Sequence, residues 1–340
     1  MKANAQSIRL SASDLSNHLA CSHLTALDLA VATGQLPAPK WHSPDAWVLQ
    51  QRGMEHENAY LSHLEAEGIP ITDLREIDGD STALAETIAA MQQGVAAIAQ
   101  ATLTNERWFG RADVLRRVEV PSKLGGWSYE VYDCKLARET KAATILQLSL
   151  YSELVGTVQG VLPESMYVVP PGESFHPETY RVLDYAAYYR YVKARLEIAV
   201  DGNSKFTETY PKPTPNCDVC RWWQDCDSVR RKDDHLSLVA GINRSQRKQL
   251  HAWETVTVTD LARFPLPIQR RPEYGSKEGY VRVREQARVQ VAGRNSGCPV
   301  HEVFEITDEH GLSLLPEPSG GTCSSTLKAI SSSASADGNI

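Results

Sequence analysis

No apolar run in the 340-residue chain approaches the length of a membrane span, so no membrane-crossing helix is expected. The first residues, MKANAQSIRLSASDLSNHLACSH, lack the apolar centre of a signal peptide, which makes the cytoplasm the expected compartment. A Walker phosphate-binding motif is missing too, so no helicase activity is expected of this chain itself. Internal repeats are absent. Positive charge is not in excess: 35 Lys and Arg stand against 42 Asp and Glu, a net charge of −7. That balance argues against a protein that coats nucleic acid by bulk charge, although a local patch can still serve an enzyme that cuts it. Seven cysteines in a reducing compartment do not suit a disulfide framework, which leaves metal ligation as a use for some of them.

What is present is ordinary for a soluble globular protein: 42% hydrophobic residues, 23% charged residues and a mean hydropathy of −0.35. The length suits one large domain or two modest ones. Ser11-Ala-Ser-Asp-Leu15 supplies helix caps ahead of an apolar-periodic run. Further helices are expected over about 45–67, stopping at Gly68, and over about 82–101, where alanine is abundant. The period then changes. Residues 107–120 (RWFGRADVLRRVEV) and 127–136 (WSYEVYDCKL) read as strands joined by the turn PSKLGG. Helical spacing returns over 140–156, and Met166–Pro170 reads as a short buried strand. This order predicts an α/β core with a mixed sheet.

Phosphodiester hydrolysis needs a cation to neutralise phosphate and lower the pKa of the attacking water. Hard cations such as Mg2+ take one or two carboxylates together with waters and substrate oxygens. Asp113 in the first strand and Asp133 in the second offer such ligands. Side chains alternate along a strand, so Asp133 and Lys135 share a face while Cys134 points to the other. A tight hairpin brings Asp113 beside Asp133 and sets Lys135 where it can orient water or stabilise developing charge. Taken alone, D-x-K is also what an exposed strand face shows. The next helix adds Gln147 and Tyr151, one turn apart on a single face.

GRAD, then YEVYDCK, then QLSLY resembles motifs II and III and the Q-x-x-x-Y element of RecB-family PD-(D/E)XK nucleases, and RGMEHE supplies the upstream helical histidine of that family, His56. The resemblance implies a restriction-endonuclease-like core, a mixed sheet flanked by helices. It also implies a DNA nuclease dependent on Mg2+ or Mn2+, expected to be an exonuclease. His56, Asp113 and Asp133 would bind the cation, with the Cys134 carbonyl as a further ligand. Lys135 would be the catalytic lysine, and Gln147 and Tyr151 would position the DNA. Cys134 stands where the family often has an aromatic; facing away from the site, it is expected to be a core cysteine. His56 lacks a second histidine at i+4, so the zinc-protease pattern is not met. His63 is expected at the surface.

Tyr210-Pro-Lys-Pro-Thr-Pro215 reads as a stiff loop leading into Cys217, Cys220 and Cys226, spaced C-x2-C-x5-C. Three thiolates this close can grip a metal or cluster that wants a fourth ligand, and Cys21 is the candidate. A redox CxxC lacks its usual setting after a first strand. One distant N-terminal cysteine and three clustered behind the nuclease motifs resemble the iron–sulfur nucleases, which include the AddB nuclease domain and the small CRISPR adaptation exonucleases. That implies a structural 4Fe-4S cluster stapling the first helix to the end of the domain. Structural zinc and unligated cysteines remain the alternatives. Cys298 and Cys323 lie outside the pattern.

Beyond the cysteines, residues 239–264 resemble a helix-hairpin-helix module, in which Arg244, Arg247 and Lys248 would contact phosphates. A solvated helix face is the competing reading. Between 263 and 294, eight Lys and Arg stand against three Glu. The expected domains are a nuclease domain at 1–235, a helical module at 236–295, and a linker with a disordered tail at 296–340. The stretch from Arg9 to Pro318 resembles the N-terminal part of large bacterial RecB-like nuclease–helicase proteins. LLPEPSGG looks like their next domain junction, but the residues after it, TCSSTLKAISSSASADGNI, do not continue them. A truncated or frameshifted product is therefore expected, with DNA as partner and a helicase as a further one. A competing expectation is a nuclease fold that clamps DNA without cutting it; another is a zinc-stapled interaction protein.

Overall fold

The computed structural model describes residues 1–3, 8–40, 44–172, 175–202, 206–303 and 314. The tail expected over 319–340 and Cys323 lie outside the described residues, as does the LLPEPSGG junction apart from Leu314. Among the described residues no helix is long and apolar enough to cross a membrane.

Strands alternating with helices build an α/β fold around one mixed sheet, as the sequence predicts. Its strands are β1 (Lys2–Ala3), β2 (Ile8–Ser11), β3 (Ile71–Asp73), β4 (Ala97–Thr104), β5 (Trp108–Val118), β6 (Ser128–Cys134), β7 (Ser165–Val169) and β8 (Glu178–Arg181). Their order is β1-β2-β5-β6-β7-β8, with β4 on the other edge of β5 and β3 beyond it. Pairs β4–β5 and β5–β6 are antiparallel, while β2–β5 and β6–β7 are parallel.

The helices are α1 (Ala12–Ala20), α2 (Ser22–Ala32), α3 (Pro44–Ala66), α4 (Asp80–Gln93), α5 (Ala142–Gln159), α6 (Val182–Asp201), α7 (Trp223–Lys232), α8 (Arg244–Ala252), α9 (Val258–Ala262) and α10 (Lys277–Ser296). Helix α5 is apolar almost all round because it is enclosed: Leu146, Leu148, Leu150 and Leu154 are fully buried against Val131, Leu115 and Trp108 of the sheet. Tyr60, Leu61 and Leu64 of α3 pack on Ala97, Ala99, Val114 and Tyr132 in a second cluster. The sheet is thus covered by two helical layers.

The helix expected over 82–101 is corrected in its second half. Helix α4 stops at Gln93, where Gly94 at φ +70 closes it, and Ala97 begins a strand. The helix propensity of alanine gives way to packing: Ala97, Ala99 and Ala101 are fully buried in the sheet, where small side chains let the flanking elements approach. The expected run at the N-terminus divides into α1 and α2 at Cys21, whose backbone is extended at φ −161 and ψ 112. Strand β8 and helix α6 have no counterpart among the sequence-based expectations.

Residues beyond the cysteines gather a hydrophobic cluster of their own. Leu236, Leu250, Trp253, Leu261, Tyr280 and Ala287 are buried in it, drawn from α8, α9, α10 and the segment before them.

Candidate active site and cysteine pocket

Strand β5 carries β2 at its start and β6 at its end along one edge. Leu10 and Ser11 pair with Trp108 and Phe109, and the β6 ladder begins only at Val114↔Tyr132. Gly110-Arg-Ala-Asp113 therefore runs past a gap in that edge. Continuing the two registers would set Gln100 of β4 opposite Asp113, and Asp113 opposite Asp133 of β6. The carboxylate of Asp113 fills the gap: its Oδ2 accepts the backbone N–H of Cys134 at 2.8 Å. The two aspartates do meet, as expected, and they do so where the strands part.

Asp133 is fully buried. Its Oδ1 accepts from Gln147 Nε2 at 2.7 Å, and Lys135 Nζ stands 2.6 Å from its Oδ2. Burial, and next the adjacent Asp113 charge, push the Asp133 carboxyl up to about 8, against the opposing pull of Lys135. Asp113 is raised by burial as well, with Lys135 and the Cys134 N–H opposing. Burial would lower the Lys135 ammonium, but the two carboxylates outweigh it and hold the lysine above its ordinary value. Lys135 is thus a cation at neutral pH, suited to stabilising negative charge rather than to taking a proton. Cys134 packs in the cluster beneath α3, on the opposite side from Asp133, as strand alternation predicts.

Gln147 and Tyr151 face inward. The Gln147 amide is engaged on Asp133, and Tyr151 is buried with its ring against Gly110. A Cβ on Gly110 would lie 2.2 Å from Tyr151 Cε1, so the glycine of GRAD is required by the tyrosine of the next motif. Gln147 is half-buried and Tyr151 buried, and through Asp133 and Gly110 they brace strands β6 and β5. His56 is nearby but turned differently. Its Nε2 donates to the Val169 carbonyl at 3.0 Å, because a carbonyl only accepts, and its ring stacks on Phe175. His63, expected at the surface, is half-buried and stacks on the same Phe175 at 5.1 Å. One residue after His56, Glu57 accepts from Gln100 Nε2 at 2.6 Å. Burial and then the Asp113 charge raise its carboxyl. Sequence reasoning missed this pair, and only the register of β4 against β5 shows it.

The four cysteines Cys21, Cys217, Cys220 and Cys226 line one cavity of about 20 Å³, with Leu24, Leu27 and Trp222. Cys21 reaches it from the break between α1 and α2, and Cys226 from α7. All four thiols are free. Burial raises Cys220 and pushes Cys226 up to about 12, the neighbouring thiols adding to both. Asp28 ties the walls together, accepting from Arg221 at 2.6 Å and from the Trp222 indole N–H at 3.3 Å. Among the described residues, no three His, Cys, Asp or Glu side chains are arranged to hold one metal ion. His56, Asp113 and Asp133 are therefore not brought together as a three-ligand set. Two carboxylates still satisfy what a hard cation asks of protein, the remaining positions going to water and substrate oxygens.

In the C-terminal unit, Arg244 and Lys248 are exposed on α8, while half-buried Arg247 turns back to the Ile242 carbonyl at 3.4 Å. Part of the positive charge on α10 is neutralised internally: Arg288 pairs with Glu285 and Glu302, and Arg294 with Asp234.

No family model matches the chain, and no curated protein matches it.

Proposed function

We propose that this chain is a DNA nuclease that hydrolyses phosphodiester bonds with Mg2+ or Mn2+ held at Asp113 and Asp133. The observation that supports it most is Asp133. A fully buried carboxylate with a second carboxylate beside it and one lysine against it is costly unless a cation or proton joins it. The resemblance of GRAD, YEVYDCK and QLSLY to RecB-family motifs agrees with that chemistry. When bound, the cation would neutralise the phosphate and make water a better nucleophile. Gln147 holds Asp133 Oδ1, and Oδ2 faces Lys135. Lys135 supplies a fixed positive charge for the developing negative charge on phosphate oxygens. Tyr151, wedged on Gly110, keeps α5 seated against the strand. Exonuclease action, a helicase partner and a role in repair, recombination or defence rest on the resemblance alone.

The four cysteines are proposed to hold a structural 4Fe-4S cluster. The four thiols line one cavity, and the cubane of a 4Fe-4S cluster takes one thiolate at each of its four irons. A tetrahedral zinc with 2.3 Å bonds would set its sulfurs about 3.8 Å apart.

The deciding test is metal-dependent cleavage of single- and double-stranded DNA by wild type and Asp133→Ala, with folding checked by circular dichroism. Cleavage that needs Mg2+ or Mn2+ and disappears in the variant supports the reading. Cleavage that survives Asp133→Ala overturns the site.

A second reading, a fold that clamps DNA without cutting it, draws on the absence of a three-ligand metal group among the described residues. It predicts salt-sensitive DNA binding with no cleavage under any divalent cation.

A further inference from the structure

The walls of the cysteine cavity carry charge of one sign. Arg230 and Lys212 line it together with the four thiols, and among the described residues no Asp or Glu does. Lys212 is exposed, so water and salt screen it, but Arg230 is buried at 5% exposure. Cys226 and Arg230 both belong to α7, four residues apart, which puts their side chains on one face of the helix. The last turn of α7 also carries Arg231 and Lys232, and both of those stay in water. Arg230 alone of the three is turned in against the thiols.

A buried guanidinium is costly unless an anion answers it. The protein's own answer is a poor one. Arg230 Nη2 stands 3.4 Å from Asp227 Oδ1, and Nη1 donates to the Pro211 carbonyl at 3.4 Å, both longer than an ordinary N–H···O bond. Asp227 is held more closely by Arg231, whose Nε lies 2.6 Å from Oδ2. Sulfur in the same cavity already meets a donor, since the Thr214 N–H donates to Cys217 Sγ at 3.4 Å. A buried cation and an amide aimed at sulfur, with no carboxylate in the wall, suit an occupant that is negatively charged.

We propose that Arg230 is the counter-charge of the iron–sulfur cluster, a buried cation that balances the net negative charge of the bound group and raises its reduction potential. This rests on the cluster reading and assigns a tuning residue to it. A cubane held by four thiolates is anionic, and uptake of an electron makes it more so; net charge and hydrogen bonds to sulfur are what set its potential. A fixed cation one helical turn from a ligand, shielded from water, favours the electron-richer state. Zinc on the same thiolates has no such state, so the potential also separates the two occupants.

The experiment is a reductive titration of the anaerobically purified full chain, after iron and sulfide analysis. An Eu(II) chelate supplies the electron, becoming Eu(III), and visible absorption follows the cluster. Wild type, Arg230→Met, Arg230→Lys and Arg231→Gln are compared, with a melting curve for each. Methionine fills the space without the charge, lysine keeps the charge, and Arg231→Gln removes an exposed charge next door. The expected midpoint of Arg230→Met is shifted to more negative potential, while Arg230→Lys stays close to wild type and Arg231→Gln does not move. An arginine that only ties α7 to Pro211 would lower the melting point in Arg230→Met and leave the midpoint alone. That result overturns the counter-charge role and leaves the cluster reading standing, as does a wild-type cluster that Eu(II) fails to reduce. Should Arg230→Met lose its iron, Arg230→Lys decides: a retained cluster supports the role of charge, and a lost one overturns it. If wild type carries no iron and sulfide, both readings fall.

Discussion

Gln147 Nε2 donates to Asp133 Oδ1 at 2.7 Å, joining helix α5 to strand β6 across the interior. Because Oδ1 is occupied in this way, Oδ2 is the oxygen that Lys135 meets and that a cation can take. Gln147→Leu keeps the volume and removes the donor, leaving Oδ1 buried and unbonded. The expected cost is about 1–3 kcal/mol of stability. Cleavage should fall about 10- to 100-fold, as it does when partners of a metal-binding group are removed. Steady-state rates with saturating Mn2+ check this, and an unchanged rate in a folded variant would remove Gln147 from the site.

Gly110 is required by contact with Tyr151 rather than by its backbone angles. Gly110→Ala puts a methyl into the tyrosine ring, at an expected cost of about 1–3 kcal/mol. The test is a double-mutant cycle. In a Tyr151→Ala background the space is vacant, so adding Gly110→Ala should cost far less than it does alone, a coupling readable from two pairs of melting curves. Additive effects would show that the contact does not carry the constraint.

Asp113, Asp133, Gln147 and Tyr151 were legible because each sits in a regular element. Period-two alternation puts Cys134 on the side away from Asp133, and a four-residue helical step puts Gln147 and Tyr151 on one face; the structure keeps both. The strand β4 was not legible, since its alanines favour helix locally and only burial between two helical layers makes them strand. Gln100 and Glu57 were not legible for a deeper reason. Their meeting depends on the register of β4 against β5, a property of paired strands that no single segment encodes. Cys21 was readable as a ligand candidate, but its extended backbone between α1 and α2 was not.

Asp133 contributes to the pH dependence of the metal-free fold. Its carboxyl is held up to about 8, by burial first and the Asp113 charge second, against an unfolded value of about 3.9. The folded state therefore keeps a proton that the unfolded chain releases. Its contribution to stability is complete below about pH 4 and is lost as pH rises through about 8. Asp113 and Glu57 are raised in the same direction, each by burial first, and Lys135 stays charged throughout. On the proposed reading a divalent cation would replace the proton, so stabilisation by Mn2+ should grow with pH over this window. Melting curves on either side of neutrality, with and without Mn2+, should show that growth in wild type and much less of it in Asp133→Asn. Equal pH slopes in the two proteins would contradict the assignment.

Asp28 accepts from both Arg221 and the Trp222 indole, and Trp222 packs with Cys21, Cys220 and Cys226 around the thiol cavity. Arg221 is partly exposed and can turn to water if Asp28 is removed, whereas the buried indole N–H cannot. Asp28→Ala should therefore destabilise by about 1–3 kcal/mol, mostly through the indole, and should loosen the wall that shields the four cysteines. Iron and sulfide analysis after anaerobic purification establishes first whether a cluster is present; a colourless protein carrying zinc or no metal would sink the cluster assignment. Given iron, Asp28→Ala should bleach in air with a chelator several times faster than wild type. DNA cleavage measured before bleaching should be unchanged, because Asp28 touches neither Asp113 nor Asp133. Bleaching at the wild-type rate would mean that the Asp28 clasp seals nothing, and that the cluster is protected by the thiolate geometry alone.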